Sequence, residues 1–432
     1  MNRKIVLVKP PERSFFSFGT FSLGVLGAAI RHLADVSIFN ATNMSVGKAA
    51  EGVWSLQPDL IGITVMGLAS VLPAVDFIHQ LKAGADNARY KVKCTPIIVG
   101  GHGASIMPAT LLQAGADAAV IGEGEVTFQQ IIVEGIHPGA PGVACLDGNR
   151  LVIGPPQTLI HPLDSLAPPA RDLMPPSPNG IHLMETSRGC PHACAFCETT
   201  RFYGKRWRPN SPKRVVAEVK RLVDDYDAWI IHFADDNFAA SHSRVRRICE
   251  ELQDEILPAF FMVSARADDL VADTDLLPVM AAARMLRITV GVETLVLGMA
   301  SEVGKPIALK TYSEAFRRMR ELGIFSVASF IVGLPGEHPA TREQSVRLAV
   351  EAGPDSAHFL PFLPIPGIPL AAGRDSSDPD PADVRDADRF NQAFFQQPSV
   401  QERLKAAATS KNIRGLLARA TLGNHLRAAA DS

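Results

Sequence analysis

The sequence predicts an α/β protein in two parts: a flavodoxin- or Rossmann-like parallel sheet, then a partial (β/α)6 barrel of the TIM type with a short helical C-terminal segment. Three observations predict it. Apolar runs without polar alternation are separated by stretches of helical periodicity, the pattern of parallel strands covered on both faces. That pattern occurs twice, before and after a proline-crowded stretch between residues 135 and 180. The chain has 432 residues, about three times a typical domain of ~150. With 47% hydrophobic and 20% charged residues it can fill large cores, which excludes disorder as its main state. A formal net charge of −2 leaves no global field directing it to nucleic acid or an anionic membrane. Six cysteines are too few for a disulfide framework, and three of them fall within eight positions.

The first part reads strand by strand. Ile5–Val8 is a short apolar run ended by Pro10-Pro11, and Leu23, Leu26, Ile30 and Leu33 then recur at helical spacing. Val36–Phe39 is a second strand, 46–57 a helix ending before Pro58, Leu60–Val65 a third strand, and 73–83 a helix carrying Val75, Ile78 and Leu81. Pro96–Gly101 and Ala118–Gly122 complete the set. Residues 14–30 carry no charge and have the character of a signal core, but Gly and Ser break them and no cleavage site follows. Neither they nor Leu60–Val75 reach the ~20 apolar residues of a membrane span. A cytoplasmic protein without a membrane span is therefore expected.

Glycines follow two of these strands, in Gly100-Gly101-His102-Gly103 and Gly122-Glu123-Gly124-Glu125. Open parallel sheets bind ligands outside the carboxyl ends of their strands, and glycine lets backbone approach a ligand closely. Alone, these glycines also suit ordinary turns. Taken in order with the prolines after the first strand, GITVMG at the third, VGGHGAS at the fourth and GADAAVIGEGE at the fifth, they make residues 1–135 resemble the cobalamin-binding domain found upstream of radical enzymes. The resemblance implies cobalamin contacts at Thr64, Gly100, Gly101, His102, Gly103, Gly122, Glu123, Gly124 and Glu125. One departure matters: no Asp-x-His-x-x-Gly follows the first strand, where KPPERSFFSFG stands. Neither His32 nor His102 is therefore assigned as a cobalt ligand.

Residues 136–180 are expected to be a bridge. Within them Val143–Leu146 and Arg150–Ile153 flank Asp147-Gly148, a hairpin signal. LAPPARDLMPP holds too many prolines for regular structure and reads as a stiff connection.

The chemistry is expected at Cys190-x3-Cys194-x2-Cys197. Thiolates on a short loop after a strand can each bind one iron of a four-iron cubane, leaving the last iron open to a ligand. Zinc would need a fourth ligand, and His192 sits between two of the cysteines with little room to fold back. This spacing, with Phe196 just before the last cysteine, resembles that of the radical S-adenosylmethionine (SAM) family. In that family the open iron chelates the amino and carboxylate groups of SAM, and electron transfer yields a 5′-deoxyadenosyl radical that takes hydrogen from a substrate. The resemblance makes Cys190, Cys194 and Cys197 the [4Fe-4S] ligands and Phe196 a neighbour of SAM. Cys94, Cys145 and Cys249 have no assigned role.

A (β/α)6 core over 181–372 is expected to follow. Its strands are Ile181–Thr186, Trp229–Ala234, Phe260–Ala265, Leu286–Val292, Val327–Val332 and Ala357–Phe362, with helices at 211–225, 243–256, 275–284, 311–322 and 341–352. Barrels place active residues at the carboxyl ends of strands. Asp235 and Asp236 stand where the family contacts the SAM amino group, or they cap a helix. Arg266 could pair with the SAM carboxylate, or be a surface arginine. Glu293 could accept from ribose hydroxyls or the SAM amine, and backbone around Val332, Gly333 and Leu334 resembles the family's adenine contact. LPFLPIPGIPL (360–370) would wall the substrate cavity or simply pack as a loop.

Arg201, Lys205, Arg206, Trp207 and Arg208 make a basic and aromatic stretch, which is read as a cofactor-site or structural element in preference to a nucleic-acid surface. Residues 373–388 are polar and acidic and are expected to be a solvated linker, the chain reads as helical from 389 onward, and the basic segment 401–432 is read as a solvated helical cap on the barrel or a contact for an acidic substrate. Together the resemblances imply a cobalamin-dependent radical SAM enzyme that methylates an unactivated carbon of a small-molecule or natural-product substrate. Its electrons would come from an external flavodoxin- or ferredoxin-type donor. The same cofactors could instead drive a cyclisation or rearrangement without net methyl transfer. A non-catalytic iron–sulfur or cobalamin sensor is the third reading, and Asp235, Asp236 and Glu293 argue against it, because a sensor has no need to position SAM.

Overall fold

The apolar runs of the first part become parallel strands β1 (Lys4–Lys9), β2 (Asp35–Asn40), β3 (Leu60–Thr64), β4 (Ile97–Gly100) and β5 (Ala118–Val120). A computed structural model describes residues 3–12, 19–85, 95–177, 180–372 and 378–430. Cys94 and the segments 13–18 and 373–377 lie outside the described residues. The chain divides into two units, Met1–Ser177 and Pro178–Ser432.

In the first unit the sheet runs β2-β1-β3-β4-β5, the flavodoxin-type order, with its switch point between β1 and β3. Strand alternation loads both faces with apolar side chains. Val6, Val8, Ile61 and Ile63 pack with Trp54 and Phe77 on one side. Ile5, Leu7, Leu60 and Ile98 pack with Leu23 and Phe128 on the other. The predicted hairpin forms as β6 (Val143–Asp147) and β7 (Arg150–Ile153), with Asp147 opposite Arg150. It is not part of a free bridge: β6 pairs antiparallel with β5 and extends the sheet to seven strands. The proline-rich residues after it also pack into this unit. Ile160 N donates to Glu123 Oε2 at 2.7 Å, Ala170 N to Gly24 O at 2.9 Å, and Arg31 pairs with Asp172 at 2.8 Å. Proline bars a helix there, but an extended strap can still lie along the unit and bond at a few points.

The second unit begins with β8 (Ile181–Met184), β9 (Ser187–Arg188) and β10 (Arg208–Pro209), followed by β11 (Ile230–Phe233), β12 (Phe260–Ala265), β13 (Met285–Glu293), β14 (Phe325–Val332) and β15 (Ser356–Pro361). Six of these form one sheet in the order β15-β14-β13-β12-β11-β8, parallel throughout. This is the predicted succession of strand and helix, open between β8 and β15. Ser211 caps the helix Pro212–Tyr226, its Oγ accepting from Arg214 N at 3.2 Å.

The acidic segment departs from expectation. Residues 381–396 form a helix capped by Asp380, whose side chain accepts from Ala382 N at 2.7 Å. Phe390 and Phe394 lie 5.7 and 6.4 Å from Phe359 of β15, and Asp383 is buried on Arg342. The acids sit in the helix's first turns, where the helix dipole favours them, while the apolar stripe that buries the helix starts only at Ala387. The basic tail is likewise partly buried. Val400, Leu404 and Ala418 are in the core, and Arg414 pairs with the fully buried Asp355 at 2.8 Å. Among the described residues no helix is long and apolar enough to cross a membrane.

Candidate functional site

The cysteine loop is an excursion between two short strands. β9 and β10 pair antiparallel, Arg208 opposite Arg188 and Pro209 opposite Ser187, so residues 189–207 leave and return at one point. Within the excursion Ala195 is tied on both sides. Its N–H donates to Val303 O at 3.0 Å, and its carbonyl accepts from Leu370 N at 3.3 Å. The 360–370 segment therefore straps the loop.

Cys194 is buried, and Cys190 and Cys197 are half-buried. Burial pushes the Cys190 thiol up to about 11; the His192 backbone N–H opposes this, and Asp236, Cys197 and Cys194 add to it. Burial also raises Cys194, against the nearby positive charges of Lys305 and Arg266. Such thiols ionise when a cation binds them. Among the described residues no three His, Cys, Asp or Glu side chains converge on one ion. Tetrahedral thiolate zinc would require sulfurs roughly 3.8 Å apart. Three thiols spaced along one loop instead suit one iron each. His192, the alternative zinc ligand, turns to Asp269, with Nε2 3.8 Å from Oδ2.

The strand-end residues separate into two kinds. Asp235 is buried and fully used. Its Oδ1 accepts from Thr186 N at 2.7 Å, and its Oδ2 from Thr186 Oγ1 at 2.5 Å and Ser187 Oγ at 2.7 Å. It ties the end of β11 to the entry of the cysteine loop and caps no helix. Burial raises its pKa, against these hydrogen bonds. Asp236 is exposed, accepts from Thr199 Oγ1 at 2.6 Å and lies close enough to raise Cys190. Arg266 is not a surface arginine. It is 9% exposed, bonds Asp268 through Nε and Nη2 at 3.0 and 2.8 Å, and brings Nη1 to 3.7 Å from Cys194 Sγ. Glu293 ends β13 in a left-handed conformation, φ 66°, where the β13–β14 register shifts. Its Oε1 accepts from Lys305 Nζ at 3.0 Å, both side chains being buried. Phe196 is half-buried on the loop itself.

The turn Val332–Leu334 is internally bonded. Gly333 N donates to Glu337 Oε2 at 2.7 Å, Val332 O accepts from Phe362 N at 2.8 Å, and Leu334 O from Glu337 N at 2.9 Å.

Two residues escaped the sequence reading. Lys305 follows a short helix in a segment without periodicity, so only its own burial against Glu293 reveals it. Arg244 stands in a helix that reads as an ordinary amphipathic one. It sends Nη2 to Thr186 O and Nε to Asn210 O, and its guanidinium lies 5.9 Å from the Trp207 ring centroid. Arg208 lies 5.5 Å from the Tyr203 ring centroid. Trp207 and Arg208 thus hold the loop's base, while Arg201, Lys205 and Arg206 are exposed.

In the first unit the expected cobalamin residues share one sheet edge. Thr64 ends β3, Gly100 ends β4, and Gly122 to Glu125 follow β5. The backbone at Gly101 and Gly103 leaves no space for side chains. A Cβ at Gly101 would meet Val65 O at 2.6 Å, and one at Gly103 would meet Gly67 O at 2.6 Å. The loop therefore stays flush with the edge. Thr64 Oγ1 lies 3.3 Å from Ser22 Oγ, Gly122 N donates to Ser105 Oγ at 3.0 Å, and Glu123 and Glu125 are buried. His102 begins the helix His102–Ile106. At the switch point, Lys9 is fully buried against Glu12, which also accepts from Ser70 Oγ at 3.1 Å.

Comparison with known proteins agrees with both halves. The B12 binding domain matches residues 22–132, and the Radical SAM superfamily matches 184–349. The chain is 27% identical over 389 residues to an uncharacterized methyltransferase of Pyrococcus horikoshii, covering 85% of this chain and 82% of that one. It is 27% identical over 346 residues to an anaerobic magnesium-protoporphyrin IX monomethyl ester cyclase of Rubrivivax gelatinosus, covering 75% of this chain and 60% of the cyclase. In fold it matches the radical SAM methyltransferase TsrM of Kitasatospora setae, solved with cobalamin and a [4Fe-4S] cluster, at a TM-score of 0.71 and 20% identity, over 86% of this chain and 74% of that one. With both domains in this order, the chain belongs to the radical SAM enzymes that carry a cobalamin-binding domain ahead of the SAM domain.

Proposed function

We propose that this protein is a cobalamin-dependent radical SAM methyltransferase acting on an unactivated carbon of a small-molecule substrate. The observation that carries the reading is the cysteine loop held at the carboxyl end of a parallel barrel, beside Asp236, Arg266 and the Glu293–Lys305 pair. In this reading Cys190, Cys194 and Cys197 hold a [4Fe-4S] cluster, and residues at the β3–β5 edge hold cobalamin. When bound, these groups supply one-electron cleavage of SAM and a transferable methyl group.

The chain's own residues do the positioning. The exposed Asp236 carboxylate offers charge to the SAM amine, and Arg266 offers it to the carboxylate from beside Cys194. Lys305 holds Glu293 at the strand end, where its remaining lone pairs can accept from ribose. Asp235 acts one step back, fixing the loop's entry through Thr186 and Ser187. The Val332–Leu334 turn contributes shape, since its backbone groups serve the turn. The reading places the protein in the cytoplasm, where free thiols persist, with a flavodoxin- or ferredoxin-type donor.

Anaerobic reconstitution with iron and sulfide tests the ligand set. Four-iron absorbance is expected in the wild type and its loss in Cys190→Ala, Cys194→Ala and Cys197→Ala; a full signal in the variants contradicts the assignment. The likeness to a cyclase favours a second reading, cyclisation without net methyl transfer, although this chain spans only 60% of that protein. The relatives compared carry the names of enzymes, which leaves the sensor reading without support.

A further inference from the structure

The concave face of the second sheet carries a cation that none of these roles uses. In β13, Ile288, Val290 and Val292 are buried toward the helices, while Arg287, Thr289 and Gly291 alternate with them and stay partly accessible. Alternation therefore turns Arg287 into the barrel lumen. Register sets it beside Met262 of β12, which in turn stands beside His232 of β11. On the far side, His358 of β15 lies in the row of Ser329 and Gly291. His358 is reached by solvent yet surrounded by protein atoms, as a side chain inside an open barrel is.

Arg287 differs from several other enclosed arginines of this unit. Arg188, Arg266, Arg342 and Arg414 each pair with a carboxylate, and Arg244 bonds backbone carbonyls. Among the described residues, Arg287 has only a contact from Nη1 to Met262 Sδ at 3.8 Å. A thioether is a weak acceptor, and a guanidinium stays charged in any protein environment. An enclosed charge without a partner is costly. The two imidazoles around it do not compensate: burial first, then Arg287 itself, lowers both and keeps them neutral.

We propose that Arg287 is a substrate-binding residue that receives an anionic group, a carboxylate or a phosphate, at the floor of the barrel. His232 stands in the same row as Arg287 and can donate one hydrogen bond to such a group, while His358 lies four residues higher along the strands. Arg287 is level with Met262, four residues before Arg266, which is about 13 Å along the strand. The anion therefore binds below the level of the cysteine loop, at the end of the substrate remote from the reacting carbon. This deepens the methyltransferase reading and rests on it for the word substrate.

Phenylglyoxal labelling of the reconstituted full-length protein tests it, with mass spectrometry of the Arg287 peptide as readout. Arg287 should react, and inorganic phosphate or acetate at ten times its dissociation constant should slow the reaction about tenfold; neutral acetamide should not. The stronger of the two anions identifies the group. An unreactive Arg287, or labelling that neither anion slows, overturns the proposal. As a second measurement, the anion-induced rise in Tm should vanish in Arg287→Met and survive in part in Arg287→Lys; an unchanged rise in Arg287→Met also overturns it. Cluster absorbance is read on the same samples. A failure of anion binding with the cluster intact sinks only this inference, whereas absence of the cluster sinks the enzymatic reading.

Discussion

Glu293 occupies a conformation that a glutamate rarely adopts, φ 66°, and its carboxylate is held by Lys305 in a buried pair. Strain of this kind costs on the order of 1–3 kcal/mol and gathers at functional sites. Lys305→Met leaves that carboxylate uncompensated and should cost about 3 kcal/mol in a urea titration, while adding Glu293→Gln should recover much of the loss. If the single variant is as stable as the wild type, the pair does not hold the strand end. A second residue-scale prediction concerns pH. Burial, with Arg287 adding to it, lowers His232 from 6.5 to about 4. Its neutral form belongs to the folded state, so its contribution is fully present above pH 6.5 and falls away as the pH drops toward about 4. The loss is on the order of 3 kcal/mol. His232→Gln should flatten that limb of the stability profile; an unchanged limb would assign it to other groups.

The tie between β11 and the cysteine loop is the element-scale counterpart. Asp235→Ala removes the acceptor for Thr186 N, Thr186 Oγ1 and Ser187 Oγ. It should destabilise the protein by about 2–3 kcal/mol and lower iron retention after desalting, although the hydrogen bonds of Asp235 go to Thr186 and Ser187 and not to a thiol. Unaltered iron retention would show that the loop's entry needs no such anchor. Most strands of the two large sheets were legible because they are apolar runs between breakers, and the cysteine spacing is local in sequence; β9 and β10, two residues each, left no such run. Asp235 was read as a ligand contact because the sequence does not show that Thr186, 49 residues away, consumes its carboxylate. Lys305 and Arg244 were missed for the same reason, since their partners are set by tertiary packing. Arg287 did leave a signal: a charge inside an apolar strand run. The start of the helix 381–396 was hidden because acids fill its first turns, ahead of the phenylalanines that bury it, while its second half was expected to be helical.

On the scale of the whole molecule, the two units carry separable chemistry. The first ends at Ser177, beyond the hairpin and its proline-rich strap. A fragment of residues 1–177 should therefore be more stable to urea than one of residues 1–135, which lacks two strands of the sheet. It should also bind hydroxocobalamin, seen as a shift in its visible spectrum; the absence of any shift at high cobalamin would return this unit to a generic α/β domain. The account as a whole claims that a SAM-cleaving centre and a methyl-carrying cobalamin work in one chain. The most direct test is anaerobic incubation of the protein, reconstituted with iron, sulfide and cobalamin, with SAM and a low-potential reductant, followed by quantification of 5′-deoxyadenosine and S-adenosylhomocysteine. The account predicts both products, with S-adenosylhomocysteine dependent on cobalamin and deoxyadenosine dependent on Cys190, Cys194 and Cys197. Deoxyadenosine alone would shift the reading to cyclisation or rearrangement, and the absence of both products would contradict it.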